Sequence, residues 1–283
     1  MPFLPLRSLP DSGNAKIADA WLEQIEGRLN AAEKDPANDR AVFCRDVLTE
    51  ICYPQYAGHW ETAVNDESIA VGTRLALSSL DSRNITLEPE FYADCIDAEF
   101  QPVKPLLWLW YSFDRTPLGG QNVGVAVRFR RILAQKLFRK CGANFKAFQH
   151  VEFTFGHNIE AGDNVVVHRH VLLDDRGGIS LGDGVSISDY ANIYSHTHSI
   201  VDQRDVTNVL TVLENGVRVT YHATVLAGVH VGEQGMVGAN AVATKDVRPY
   251  HVYVGIPAKS VRVKPNAPDP ATILRTSEHR VPR

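Results

Sequence analysis

The chain has 283 residues, 44% hydrophobic and 22% charged, with a formal net charge of −4. That length holds one large domain or two smaller ones, and the mildly acidic balance excludes a general affinity for nucleic acid or anionic membrane. No apolar run approaches the roughly 20 residues of a bilayer span, and the four cysteines (Cys44, Cys52, Cys95, Cys141) form no CxxC pair, which argues against a zinc knuckle and a disulfide framework.

The opening Met1-Pro2-Phe3-Leu4-Pro5-Leu6-Arg7 lacks the positive-then-apolar order of a secretory signal, so the expected compartment is the cytoplasm. Ile17, Trp21, Ile25 and Leu29 recur every fourth residue and predict a helix over 15–33. Asp35-Pro36 breaks that pattern. Asp39 is a cap candidate for a second helix through Val42, Val47, Leu48 and Ile51, stopped at Tyr53-Pro54. A third helical stretch is expected around 68–80. Pro105 to Phe113, the most apolar segment, reads as a core helix tying the N-terminal region together. Over 122–141 the pattern is amphipathic, with Phe129, Ile132, Leu133 and Leu137 on one side and Arg130, Arg131, Arg139 and Lys140 mostly elsewhere. Such a basic face reads as solvated, with peripheral membrane contact as the alternative use.

From about residue 155 apolar residues return every sixth position. One phase runs Phe155, Ala161, Val167, Leu173 and, after a two-residue slip, Leu181, Ile187, Ile193; it resumes as Val219, Val225, Val231, Val237, Ala243. A second phase sits four residues on, at Ile159, Val165, Val171, Val185, Val229 and Val247. Six matches neither the helical 3.6 nor a strand's 2. It is the period of a β-helix built from hexads, in which each strand is one side of a coil and only stacking buries the apolar residue. The expected organisation is a helical region over 1–120, a connecting helix over 121–148, the β-helix over 149–264, and a surface tail over 265–283.

Between Ile193 and Val219 the period lapses, and insertions in a solenoid map to loops on one face, often the binding face. The lapse opens Tyr194-Ser195-His196-Thr197-His198-Ser199 and continues through Asp202, Arg204 and Asp205. Two histidines at the root of an excursion are candidates for a general base, because imidazole titrates near neutrality; Asp202 or Asp205 is the expected orienting carboxylate. The further histidines (His157, His168, His170, His222, His230, His251) raise a second reading, a metal site of imidazoles from stacked coils or neighbouring subunits.

Three motifs carry a resemblance: Ile193-Tyr194-Ser195-His196-Thr197-His198; Val237-Gly238-Ala239-Asn240-Ala241-Val242-Ala243-Thr244-Lys245-Asp246; and Gly255-Ile256-Pro257-Ala258-Lys259. The stretch 155–264 resembles the hexapeptide-repeat acyltransferases, in the branch of maltose, galactoside and Nod-factor O-acetyltransferases. The resemblance implies a left-handed parallel β-helix, a homotrimer, and acetyl-CoA as co-substrate in a groove between neighbouring helices, with no metal. It implies His198 as catalytic base, with His196 as second candidate, and Asp174 or Asp175 on the acceptor side. Gly228, Ala239, Thr244, Lys245 and Arg262 match positions along the CoA groove. The implied reaction is direct acetyl transfer to a hydroxyl of a small molecule, sugar or glycan. Val217-Arg218-Val219-Thr220 departs from the Val-Trp-Ile-Gly common in that branch, and the helical N-terminal region is longer than the short cap of the sugar enzymes. The rival readings are a catalytically silent β-helix scaffold and a γ-carbonic-anhydrase-like zinc enzyme.

Overall fold

A computed structural model describes residues 13–268. The opening Met1 to Arg7 and the part of the expected tail from 269 to 283 lie outside the described residues. The helical region comprises α1 (Ala15–Ala31), α2 (Pro36–Cys52), α3 (Trp60–Asn65), α4 (Val71–Ser78), α5 (Asp97–Phe100), α6 (Lys104–Phe113) and α7 (Val123–Leu137). Pro36 at the first turn starts α2, so Asp39 lies inside the helix; its carboxylate accepts the backbone N–H of Asp35 at 3.1 Å. Among the described residues no helix is long and apolar enough to cross a membrane.

Helix α6 is the hub of this region. Leu106, Leu107, Leu109, Trp110 and Phe113 are fully buried. Trp110 Nε1 donates to the Val151 carbonyl at 2.9 Å, and the Tyr111 hydroxyl donates to that of Phe153 at 2.6 Å. The predicted core helix therefore also bolts the helical region to the first coil of the solenoid.

Helix α7 departs from the expectation of a solvated basic face at Arg130 and Arg131, while Arg139 and Lys140, just beyond its end, are exposed. Arg130 is buried and paired with buried Asp114, and Arg131 Nε donates to the Phe145 carbonyl at 2.8 Å. The cause is the docking surface: α7 lies across the open end of the first coil, where carbonyls of Ala147 and Phe145 need donors. The helix stops at Leu137, and the first strand, Lys140–Cys141, begins within the stretch read as connecting helix.

From Lys140 the chain winds a left-handed parallel β-helix with three faces. The first face stacks Lys140–Cys141, Ile159–Ala161, Ile179–Leu181, Thr211–Leu213 and His230–Val231. The second stacks Lys146–Ala147, Val166–Val167, Ser186–Ile187, Arg218–Val219, Met236–Val237 and His251–Val254, closed by the antiparallel strand Lys259–Val263. The third stacks Glu152–Phe153, Leu172–Asp174, Asn192–Tyr194, Thr224–Val225 and Val242–Ala243.

Inward residues of the hexad phase, among them Leu173, Ile187, Ile193, Val219 and Val225, are fully buried, each contributing about 1.5–3 kcal/mol through burial. The phase differs from expectation at its start: Phe153, not Phe155, pairs with Leu173 in the ladder. The two-residue slip recurs, because the lower coils carry 20 residues per turn and the upper ones 18. The extra residues fall at the corner between the third and first faces, where Phe155 packs edge-on against Phe100 of α5.

The corner between the second and third faces carries a different column. His150, His170, Tyr190, His222 and Asn240 all have φ between 55° and 61°, or 63° for Tyr190, in the left-handed region. The rings of His150, His170, Tyr190 and His222 stack at 4.7–4.8 Å between centroids.

Candidate functional site

The chemistry gathers at the corner between the third and first faces. Asp174 ends the strand Leu172–Asp174 and lies in register beneath Tyr194. The Ser195 hydroxyl donates to the Asp174 carbonyl at 2.5 Å and accepts the Gly177 N–H at 2.9 Å. Here a glycine is required, since a Cβ on Gly177 would lie 2.2 Å from the Ser195 carbonyl oxygen.

Beyond Ser195 the chain leaves the solenoid as an antiparallel hairpin. His196–His198 pairs with Val206–Asn208, placing His196 opposite Asn208 and His198 opposite Val206. His196 Nδ1 comes within 2.5 Å of Asp174 Oδ2, a contact that is off-line for a hydrogen bond. Asp174 is buried, and its Oδ1 accepts the Thr154 hydroxyl at 3.1 Å. The His196 and His198 rings stand 5.2 Å apart, nearly perpendicular at 82°.

His198 is exposed, and its Nδ1 lies 2.7 Å from the Gln203 carbonyl. A carbonyl only accepts, so Nδ1 carries the proton and Nε2 is the basic nitrogen of the neutral ring. The orienting group is thus a backbone carbonyl, not Asp202 or Asp205. The Asp202 carboxylate turns to Arg204, 2.7 Å away, and hydrogen bonds hold its carboxyl below the usual range. The Asp205 N–H donates to the Asp202 carbonyl and its own carbonyl accepts the Ser199 N–H, closing the hairpin tip.

Of the expected acceptor-side pair, Asp175 cannot meet a ligand in this structure. It is fully buried, and its carboxylate accepts the N–H groups of Phe155 at 2.7 Å and Asn158 at 3.1 Å. Burial pushes its pKa up to about 6 against the opposing pull of those amides. Its part is to hold the wide corner of the coil below.

The expected cofactor residues divide between edges. Gly228 sits one coil above the hairpin, and its N–H donates at 2.9 Å to the Thr211 hydroxyl, which in turn donates to the Tyr194 carbonyl at 2.6 Å. Thr244 and Lys245 follow at the same corner one coil higher and are exposed. Ala239 instead lies at the corner of the ring column, beside Asn240. Arg262 lies in the strand Lys259–Val263, in register with Val252. One chain brings His196, His198, Asp174, Gly228, Thr244 and Lys245 to one edge and leaves Ala239 and Arg262 elsewhere.

Sequence reading missed three residues at this corner. Arg176 donates to both carboxylate oxygens of Asp94, at 2.8 and 2.9 Å, and Asn208 Nδ2 donates to the same carboxylate at 2.8 Å. Burial alone would raise the Asp94 carboxyl; the hydrogen bonds from Arg176 and Asn208 outweigh it and hold the carboxyl below its usual range. No local pattern marks Asp94, which lies in an irregular loop of the helical region.

No protein-family model matches the chain. Over 140 residues it is 26% identical to galactoside O-acetyltransferase of Escherichia coli (strain K12), a match covering 48% of this chain and 69% of that protein. Over 137 residues it is 31% identical to SAV2555 of Staphylococcus aureus (strain Mu50), named as an acetyltransferase, covering 47% and 69%. Among solved structures, the hexapeptide-repeat acetyltransferase VCA0836 of Vibrio cholerae O1 biovar eltor, complexed with acetyl-coenzyme A, matches with TM-score 0.51 at 25% identity over 59% of this chain and 88% of that one. A maltose O-acetyltransferase from Clostridium difficile 630 matches in fold with TM-score 0.51 at 23% identity, over 59% and 87%. The solenoid is thus the architecture of β-helix acetyl-transferring enzymes. The chain belongs to the hexapeptide-repeat acetyltransferase family.

Proposed function

We propose that the protein transfers an acetyl group from acetyl-CoA to a hydroxyl of a sugar or glycan, with His198 as general base. The observation that carries this reading is the contact between His198 Nδ1 and the Gln203 carbonyl, which fixes the tautomer with a basic Nε2 on an exposed ring. In the reaction Nε2 takes the acceptor hydroxyl proton as its oxygen bonds to the thioester carbonyl carbon. The tetrahedral intermediate then expels the CoA sulfur, which leaves with the proton returned by the imidazolium. No Ser or Cys nucleophile is needed. Asp174, with His196 against it, serves the acceptor side.

Gly228 and Ala239 leave room for the pantetheine arm near backbone, Thr244 lines its path, and Lys245 and Arg262 pair with the nucleotide phosphates. Because Ala239 and Arg262 lie on edges other than that of His198, a groove using all five is composed between copies, which supports a homotrimer.

The test is calorimetric titration with CoA and acetyl-CoA, for wild type and Lys245→Ala, followed by transfer to methyl galactoside and maltose. Saturable binding weakened by Lys245→Ala, with transfer abolished by His198→Ala, supports the reading. Absence of binding at millimolar ligand overturns it. Sedimentation velocity reads the assembly, and a monomer at assay concentration overturns the composite groove.

A further inference from the structure

The helical N-terminal region reaches the candidate site through one short loop. That loop starts from a pinned base: Lys104 Nζ donates to the Ile85 carbonyl at 2.8 Å and to Glu90 at 2.9 Å, and the Leu87 N–H donates to Glu90 Oε2 at 2.6 Å. Tyr92 then lays its ring under the Arg176 guanidinium, 4.5 Å from the ring centroid. Two residues on, Asp94 takes both bonds from Arg176 and the bond from Asn208.

Those two donors stand on opposite walls of the hairpin root. Arg176 belongs to the corner that carries Asp174, the partner of His196. Asn208 closes the return strand, directly opposite His196 in the antiparallel register. Arg176 is 8% exposed and Asp94 24%, so the bidentate pair is partly shielded from water and stronger than a surface contact, while the Asn208 bond lies at the surface. The hairpin's own ladder is short: three paired positions, the Ser199 N–H on the Asp205 carbonyl at the tip, and the Val209 N–H donating to the Ser195 carbonyl at 2.8 Å at the root.

We propose that Asp94 is a positioning residue for the active site: its carboxylate ties the helical region to both walls of the hairpin and so fixes where His196 and His198 stand. This rests on the functional reading above. A charged bidentate pair on one wall and an amide bond on the other hold the hairpin against rotation about its root. Displacement of a catalytic group by about 1 Å costs on the order of 10²-fold in rate, so the clamp acts on turnover and not on cofactor affinity.

The experiment compares wild type, Asp94→Ala, Asp94→Glu and Asn208→Ala in three measurements. These are hydrogen–deuterium exchange over 195–210, transfer from acetyl-CoA to methyl galactoside, and calorimetric CoA binding. The expected result for Asp94→Ala is faster exchange over 195–210 with the strands Arg218–Val219 and Thr224–Val225 unchanged. With it come a kcat lower by about 10- to 100-fold and an unchanged Kd for CoA. Asp94→Glu, which keeps the charge, recovers part of both losses; Asn208→Ala, which spares the Arg176 pair, shows a smaller loss in the same direction. Unchanged exchange over 195–210 in both alanine variants overturns the proposal. So does a loss of CoA affinity equal to the loss of turnover. If wild type transfers no acetyl group, the functional reading fails, and the exchange comparison still decides the clamp.

Discussion

Replacing Arg130 by Met tests how the helical region is fastened to the solenoid. The Arg130 and Asp114 side chains are 1% and 4% exposed. Arg130 Nε donates to Asp114 Oδ1 at 3.0 Å, Nη2 pairs with the same oxygen, and the guanidinium also donates to the carbonyls of Gly119 at 2.6 Å and Ala147 at 3.3 Å. Asp114 Oδ2 accepts the His150 N–H at 2.7 Å. Met fills the volume and supplies no donor, so Asp114 keeps its charge with one strong donor remaining, and two carbonyls lose theirs. Breaking one side of a buried pair costs about 3–5 kcal/mol. The Arg130→Met/Asp114→Leu double variant leaves the same two carbonyls without donors but removes the stranded charge, and it newly orphans only the His150 N–H, at a cost of about 1–3 kcal/mol. The double change is therefore milder than Arg130→Met alone. Urea denaturation followed by far-UV circular dichroism measures both. A cost below about 1 kcal/mol for Arg130→Met, or additive single changes, refutes the reasoning.

Three other outcomes follow from the site. His198→Gln lowers kcat by about 10²–10⁴-fold while CoA binding persists, as steady-state kinetics beside calorimetry will read; equal kcat removes the base assignment. Asp175, with its pKa raised to about 6 in the fold against about 3.9 unfolded, contributes stability that is fully present below about pH 4 and lost as pH rises through about 6, roughly 3 kcal/mol in all. Urea midpoints of Asp175→Asn across that window are therefore expected to fall less than those of wild type; parallel slopes contradict the shift. Gly177→Ala forces a Cβ against the Ser195 carbonyl and costs at least about 2 kcal/mol, with loss of transfer; wild-type melting and turnover would show that the corner yields.

Much of the fold was legible because a solenoid writes its register into the chain. Val219, Val225, Val231 and Val237 each face inward for the same reason, so the period survives local noise. The slip at Phe153 was not legible, since Phe155 is buried as well and apolarity alone cannot separate a ladder position from a packed corner. Arg130 misled for an opposite reason: a basic residue on an amphipathic helix reads as solvated unless its partner is known, and Asp114 lies in a loop 16 residues earlier. The histidine hairpin was visible as a lapse in period. Its clamp was not, because Asp94 lies 82 residues from Arg176 and 114 from Asn208; only the folded chain brings them together.

The stacked coils have one more consequence, for distance. Tyr194 and the corner of Thr244 and Lys245 belong to coils two steps apart, through Ile193, Val225 and Ala243. Each step is the strand spacing of about 4.8 Å. The interval between the hairpin and Lys245 is therefore counted in whole coils and cannot be tuned continuously. Inserting one 18-residue turn would move Lys245 away by a single step and leave every inward contact with an equivalent neighbour. The chain works as a graduated rule, on which the reach of a bound molecule is set by the number of turns between two marks.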